Sequence, residues 1–230
     1  MDVRNGNQKI KCRKSSGGLL QSLVSDVELA LVKLSRSIVG LVSVLFGSGD
    51  ELANVDESLR KCIALLIEVS VMLQVPLHVL VHQKMKVNRV KYNAAICRGR
   101  RGIVKYTKDT GETGFIEVLA FREVVGAMGV FAVNDARVWF DTESPALIEE
   151  ITCFARERGW TKAYTDRSLS LYLLEELGEL AEAVNRLSSS RPLQSLPSES
   201  FDALCSEVAD IAVYLLHTCR EYNIDLKQKH

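Results

Sequence analysis

The sequence predicts a mainly all-α fold, and three observations carry that expectation. Apolar residues recur at helical spacing through long stretches, only 4 Pro and 14 Gly interrupt the 230 residues, and strand-like patterning is confined to the region between Gly99 and Asp141. Taken in order, the spacing predicts helices over Leu20–Phe46, Asp56–Leu73, Pro76–Tyr92, Pro145–Arg158, Ser168–Leu187 and Phe201–Tyr222. Ser144-Pro145 and Asp166-Arg167-Ser168 read as helix starts, because a short oxygen-bearing side chain can accept a hydrogen bond from a free backbone N–H. Phe115–Phe121, Gly129–Val133 and Arg137–Phe140 read as short strands or an irregular linker. Ser188–Ser200, serine-rich with two prolines, reads as an exposed loop between the last two helices.

The formal net charge is zero, but it divides unevenly. Residues 1–115 carry 18 basic and 10 acidic side chains and residues 116–230 carry 11 and 19, so the halves stand at +8 and −8. With 47% hydrophobic and 25% charged residues the chain can bury a core, which argues against general disorder. No apolar run reads as a membrane span; Ile38–Phe46 is too short and contains Gly40 and Ser43. The six cysteines form no CxxC pair and only 4 histidines are present, so a zinc site is not expected and reduced thiols are. A cytoplasmic location is expected, with organelle targeting by the basic tail 1–19 as the alternative.

Chemistry concentrates in the acidic half. One predicted helix carries Glu176 and Glu179, the next carries Glu207 and Asp210, and in each pair the two residues lie one turn apart on one helix face. Leu177, Leu180, Val208, Ile211 and Ala212 flank them, so the acids border the apolar face. The positions four residues on are Leu180, Ala183, Ile211 and Tyr214, none of them basic. If the helices form a hairpin, four carboxylates converge. Two such groups about 5 Å apart repel by roughly 3 kcal/mol at an effective dielectric near 20, so the cluster needs protons or a cation. Oxygen-only ligands beside open water positions suit Mg²⁺, with Mn²⁺ as an alternative.

The arrangement ExxE, variable loop, ExxD resembles the all-α nucleoside triphosphate pyrophosphohydrolases: the MazG-like proteins and, among them, the dCTP pyrophosphatases. Phe154-Ala155-Arg156-Glu157-Arg158-Gly159-Trp160 and Tyr164-Thr165-Asp166-Arg167-Ser168-Leu169 resemble that family's lead-in helix and tryptophan loop. The resemblance implies that Glu176, Glu179, Glu207 and Asp210 bind Mg²⁺, with Glu176 or Glu179 assisting the attacking water. It places Trp160, Arg167 and Tyr214 at the substrate. The implied reaction converts a (deoxy)nucleoside triphosphate, dCTP or a modified dCTP among the candidates, to a monophosphate and pyrophosphate in nucleotide-pool sanitation. Relatives with dCTP preference carry a second pocket tryptophan where this chain has Arg186, which places that preference in doubt.

The family's following element, a KMxxN helix with a basic tail, is expected after Leu226 and stands instead in the basic half, as Lys84-Met85-Lys86-Val87-Asn88-Arg89-Val90-Lys91-Tyr92 and Lys105-Tyr106-Thr107. Leu29–Ser43 can be laid on Leu171–Asn185, and Ser58–Leu77 on Glu207–Leu226. A tandem duplication follows, with a four-helix-bundle-type core: tail 1–19, degenerate repeat 20–108, linker 109–143, metal-bearing repeat 144–230. Leu34, Ser37, Ser58 and Lys61 take the metal positions of the first repeat, which therefore holds no Mg²⁺ in this way. The expected partner of the site is its own first repeat, in an intramolecular pseudo-dimer, or a second copy in a homo-oligomer. Lys84, Asn88, Lys91 and Tyr92 are the expected substrate-facing residues. A non-hydrolysing nucleotide-binding or scaffold protein is the alternative. Nucleic-acid binding by residues 84–108, with nine basic and no acidic side chains, is a weaker one, since only Tyr92 and Tyr106 could stack on bases. No membrane partner is expected.

Overall fold

Helical periodicity becomes helix wherever an apolar stripe finds a neighbour. The computed structural model describes residues 16–46, 52–98, 136–160, 166–189 and 198–227. Among them are eight helices: α1 Ser16–Phe46, α2 Leu52–Met72, α3 Leu77–Lys91, α4 Ala94–Cys97, α5 Ala136–Thr142, α6 Ser144–Arg158, α7 Asp166–Ser189 and α8 Ser198–Glu221. No strand occurs among the described residues, as the all-α expectation requires.

Two antiparallel hairpins form the core. α1 packs on α2 and α7 on α8, and the pairs join through α1 against α7 and α2 against α8. The seam is aliphatic: Leu34, Ile38, Leu41, Leu59, Ile63 and Leu66 from the first pair meet Leu173, Leu180, Leu204, Val208, Ile211 and Leu215 from the second, all fully buried. Burying one such side chain contributes about 1.5–3 kcal/mol, so each hairpin supplies the apolar face that the other lacks. α3 turns 95° from α2 and lies across α8 and α6. Arg89 Nη1 and His82 Nδ1 hold it there, 2.8 and 2.5 Å from the two oxygens of Glu150 on α6.

The ends of α2 and α8 share one geometry. Val75 N–H donates to Ser70 O (3.0 Å) and Gln74 N–H to Val71 O (3.0 Å); Ile224 N–H donates to Cys219 O (2.8 Å) and Asn223 N–H to Arg220 O (3.1 Å). This is the Schellman motif, in which one left-handed residue satisfies the last carbonyls. Gln74 (φ 59°) and Asn223 (φ 52°) occupy that position, and they coincide when Ser58–Leu77 is laid on Glu207–Leu226. α6 ends in the same way at Gly159, φ 72°.

Three expectations are corrected. Arg137–Phe140 is not a strand: it lies in α5, where Trp139 and Phe140 are both buried, and residues 136–142 belong to the packed structure instead of the linker 109–143. A short apolar run has no periodicity of its own to separate strand from helix, and packing of α5 on α6 decides it. The start near Ser144 is right but its mechanism is not, since Ser144 Oγ donates to Phe140 O (2.6 Å) and α6 has no side-chain cap. Finally, Ser25–Phe46 is long and apolar enough to cross a bilayer. Lys33 and Arg36 break the run in the sequence, while here its Val27, Leu31, Leu34, Ile38, Leu41 and Leu45 stripe is buried. The expected strands Phe115–Phe121 and Gly129–Val133, the tail 1–15, Lys105-Tyr106-Thr107 and most of the serine loop lie outside the described residues.

Gln74 is the one Schellman position held by a residue without glycine's freedom or asparagine's tolerance of left-handed backbone. Gln74→Gly is expected to stabilise the fold by about 0.5–1 kcal/mol. The urea midpoint should rise at constant slope; a fall would show that the glutamine side chain contributes more than its backbone costs.

Candidate active site

The α7–α8 hairpin sets the site by register. Tyr172, Glu175, Glu176 and Glu179 project from one side of α7, and Glu207, Asp210, Tyr214 and His217 from the facing side of α8, at spacings of three and four residues. α3 closes the opposite wall with Lys84, Asn88, Lys91 and Tyr92, and the end of α6 contributes Phe154 and Trp160. Together they line a cavity of about 460 Å³. The basic-half element and the acidic-half carboxylates therefore share one cavity.

Glu176, Glu207 and Asp210 each point one oxygen to a common place, the three atoms within 4.8 Å of one another. Glu179 lines the same cavity from an exposed position. The cost of this convergence shows in the acidities. Burial, then Asp210, Glu179 and Glu207, push the Glu176 carboxyl up to about 8. Burial and Asp210 push Glu207 up to about 7, and burial raises Asp210 against the opposing pull of Lys84. Lys84 is 9% exposed, ion-pairs with Asp210 and donates to Ser206 Oγ at 2.8 Å. It is expected from sequence to face substrate; here it is the partner of a carboxylate of the cluster. Glu207 Oε2 is buried with no hydrogen-bond partner among the described residues. An orphaned carboxylate oxygen beside two others is a donor set that fits a hard divalent cation.

The same cavity has an aromatic lining. Trp160, 3% exposed, meets Tyr92 and Phe154 edge-on at 5.5 and 5.8 Å, and Tyr172 stacks on Tyr214 at 5.3 Å and 12°. Buried Arg158 fixes this corner. Its guanidinium lies 3.7 Å from the Phe154 ring centroid, Nε donates to Tyr92 O (2.6 Å) and Nη1 to Phe154 O (2.9 Å). Burial and the nearby Asp210 push the Tyr92 phenol up to about 12, so it stays protonated and can donate. His217 is pushed down to about 3 by burial and by Arg220, and lines the cavity as a neutral ring.

Of the residues singled out from sequence, ten line this cavity and Arg167 does not; it is exposed at the start of α7. Arg186, where relatives were expected to show a second tryptophan, is exposed and pairs with Glu182 at 2.5 Å. Sequence reasoning passed over Tyr172 and His217. Helical spacing could have found them, since Tyr172 stands one turn before Glu176 and His217 two turns after Asp210.

Residues 164–229 match the MazG nucleotide pyrophosphohydrolase domain family, the region that holds all four candidate metal ligands. The chain is 37% identical to dCTP pyrophosphatase 1 of Mus musculus over 76 residues, 33% of this chain and 45% of that protein. It is 36% identical to the Bos taurus protein of the same name over 76 residues, 33% and 45% of the two chains. The match to the Rattus norvegicus protein is 35% over 74 residues, 32% and 44%. The aligned region spans less than half the length of these relatives. No solved structure matches.

The raised carboxyls make stability depend on pH with a definite sign. Where the folded pKa exceeds the unfolded value the native state holds the extra proton, so stability falls as pH rises from near 4.5 through 7 and 8. Metal-stripped protein should therefore lose melting temperature between pH 5 and 8. A divalent cation needs the ionised ligands, so added Mg²⁺ should raise the melting temperature more at pH 8 than at pH 6. A Mg²⁺ shift absent at both pH values would exclude the cation site.

Proposed function

We propose, on the premise that residues 164–229 carry a MazG-type domain, that this protein is a divalent-cation-dependent nucleoside triphosphate pyrophosphohydrolase whose active site is shared between two halves of one chain. The observation that carries the reading is that the cavity into which Glu176, Glu207 and Asp210 converge is also lined by Trp160, Tyr92 and Phe154. The carboxylates suit a metal-bound polyphosphate and the aromatic rings a nucleobase. Mg²⁺ is the expected ion, held by Glu176, Glu207 and Asp210 with Glu179 beside them; when bound it supplies charge neutralisation for phosphate oxygens and lowers the pKa of a coordinated water.

The residues then divide the work. Lys84 and Lys91, with Asn88 between them, meet the phosphate charge from α3. Lys84 has to exchange its hold on Asp210 for phosphate as the carboxylates take the cation. Tyr214 and Tyr172 flank the sugar and base, and Trp160 closes the base pocket. Glu179, the most open of the four acids, accepts the proton of the attacking water. The water oxygen bonds to the α-phosphorus, the bond from that phosphorus to the α,β-bridging oxygen breaks, and pyrophosphate leaves with the electron pair. Arg186, turned to solvent and paired with Glu182, supplies no second aromatic wall. The pocket is therefore expected to accept dCTP or a modified dCTP alongside other nucleotides, a profile suited to clearing the nucleotide pool.

The direct test is pyrophosphate release from a panel of dNTPs and NTPs with Mg²⁺. Glu179→Gln should lower kcat by about 10²–10⁴-fold with little change in KM, as loss of a positioned base does. Release from no nucleotide, with binding retained, would replace the enzyme reading by that of a nucleotide-binding protein. Lys91→Glu and Asn88→Ala should each reduce kcat/KM for dNTPs at least about tenfold; unchanged values would refute the shared site. A chain divided between 115 and 135 should be inactive as separate pieces and partly restored on mixing.

A further inference from the structure

The first hairpin holds a second cavity, of about 430 Å³, lined by Lys33, Arg36, Ser37, Lys61, Ala64, Leu65 and Glu68. Its position is not arbitrary. In the register that lays Leu29–Ser43 on Leu171–Asn185 and Ser58–Leu77 on Glu207–Leu226, six of these seven fall on Glu175, Glu179, Asp210, Val213, Tyr214 and His217, all of which line the carboxylate cavity. The seventh, Arg36, falls on Gly178, the small residue between the two acids. The two hairpins thus present the same hollow at corresponding places, and its charge is reversed. Acids line the α7–α8 hollow; three cations and one acid line this one.

That acid is only loosely engaged, with Lys33 Nζ 3.9 Å from Glu68 Oε1, and among the described residues no carboxylate lies within ion-pairing distance of Arg36 or Lys61. Leu34, in the position of Glu176, is fully buried and offers no oxygen. The hollow therefore has no use for a metal ion, but it offers cationic groups and the Ser37 hydroxyl to an anion beside the apolar Ala64 and Leu65. Its shape narrows the ligand further. A nucleic-acid backbone needs cations spread along a track, whereas these cluster about one concavity on adjacent turns of two helices.

We infer that the α1–α2 hollow is a metal-independent binding site for a diphosphate or triphosphate anion, taken either as free pyrophosphate or as the polyphosphate end of a nucleotide. The inference needs no catalysis at the carboxylate cavity, because it stands on the charge and placement of a separate set of residues. Arg36 and Lys61 meet the phosphate oxygens, the guanidinium in a planar fork and the ammonium as a point charge, and Lys33 leaves Glu68 to join them.

The test uses metal-stripped full-length protein at low ionic strength, titrated calorimetrically with inorganic pyrophosphate and, separately, with an α,β-methylene nucleoside triphosphate. Removing the cation leaves the carboxylate cavity repelling anions, so binding reports on the basic hollow. At least one ligand should bind at a single site, and which of them binds identifies the source of the phosphate. Lys61→Glu and Arg36→Glu, both on exposed positions with circular dichroism as the folding check, should each weaken binding by about tenfold or more, and 0.5 M salt should weaken it too. Lys91→Ala should leave it unchanged. Pyrophosphate release with Mg²⁺, measured on Lys61→Glu in parallel, keeps a failure here distinct from a failure at the carboxylate cavity. No binding of either ligand, or binding lost in Lys91→Ala and kept in Lys61→Glu, would overturn the inference. Displacement of pyrophosphate by an oligonucleotide at lower phosphate concentration than pyrophosphate itself would assign the hollow to nucleic acid instead.

Discussion

Three carboxylates brought together between two helices need a counter-charge, and the rest of the structure follows from where it comes from. Glu176, Glu207 and Asp210 are all held above the ordinary carboxylate range, first by burial and then by neighbouring carboxyls. Among the described residues Lys84 pairs with Asp210 and Lys91 adds to its pull, and both belong to α3, with Lys84 126 residues before Asp210 in sequence. A helix that must deliver its ammonium there has to leave α2 at a steep angle. The left-handed turn at Gln74 followed by Pro76 does this, and Glu150 and Arg158 on α6 hold α3 in place afterwards.

That dependence explains why a hairpin without metal ligands is kept. α1 and α2 supply half of an aliphatic seam, and without them Leu173, Leu180, Val208 and Ile211 would face water. They also carry α3 to its place. The aromatic corner also joins the two halves of the sequence, since Tyr92 caps α3, while Phe154 lies on α6 and Trp160 just after it. The clustered carboxylates and the lysine that pairs with one of them thus come from different halves of the sequence.

Much of this was legible beforehand, for identifiable reasons. Helices of fifteen residues or more announce themselves by periodicity, and the carboxylate pairs stood out because the positions one turn on are apolar instead of basic. What the sequence did not show has separate causes. Arg137–Phe140 is too short to show a period, so only its burial against α6 could separate helix from strand. Arg167 resembles a motif residue and stands exposed at the first turn of α7, outside the cavity lining, which a motif alone does not reveal. The Lys84–Asp210 pair was hidden because complementary charges far apart in sequence carry no local signal.

The two hollows match in register and are opposite in charge, and a shared carboxylate origin accounts for only part of that difference. Suppose both hairpins once carried carboxylates. Replacing one acid by leucine at position 34 leaves the remaining acids with too few ligands for a cation and still repelling one another. Further change is then favoured toward neutral or basic residues, because each removes repulsion without losing a metal that is no longer held. Ser37, Ser58 and Lys61 are the kinds of residue that drift reaches, but Arg36 is not required by it, since Gly178 at the matching position carries no charge to neutralise. Lys33 goes further, standing where the other hairpin has Glu175. Relief of repulsion accounts for the loss of negative charge from the first hollow and not for the gain of three positive ones around it. The surplus needs a cause of its own, and an anionic ligand is the simplest that the chemistry of the hollow offers.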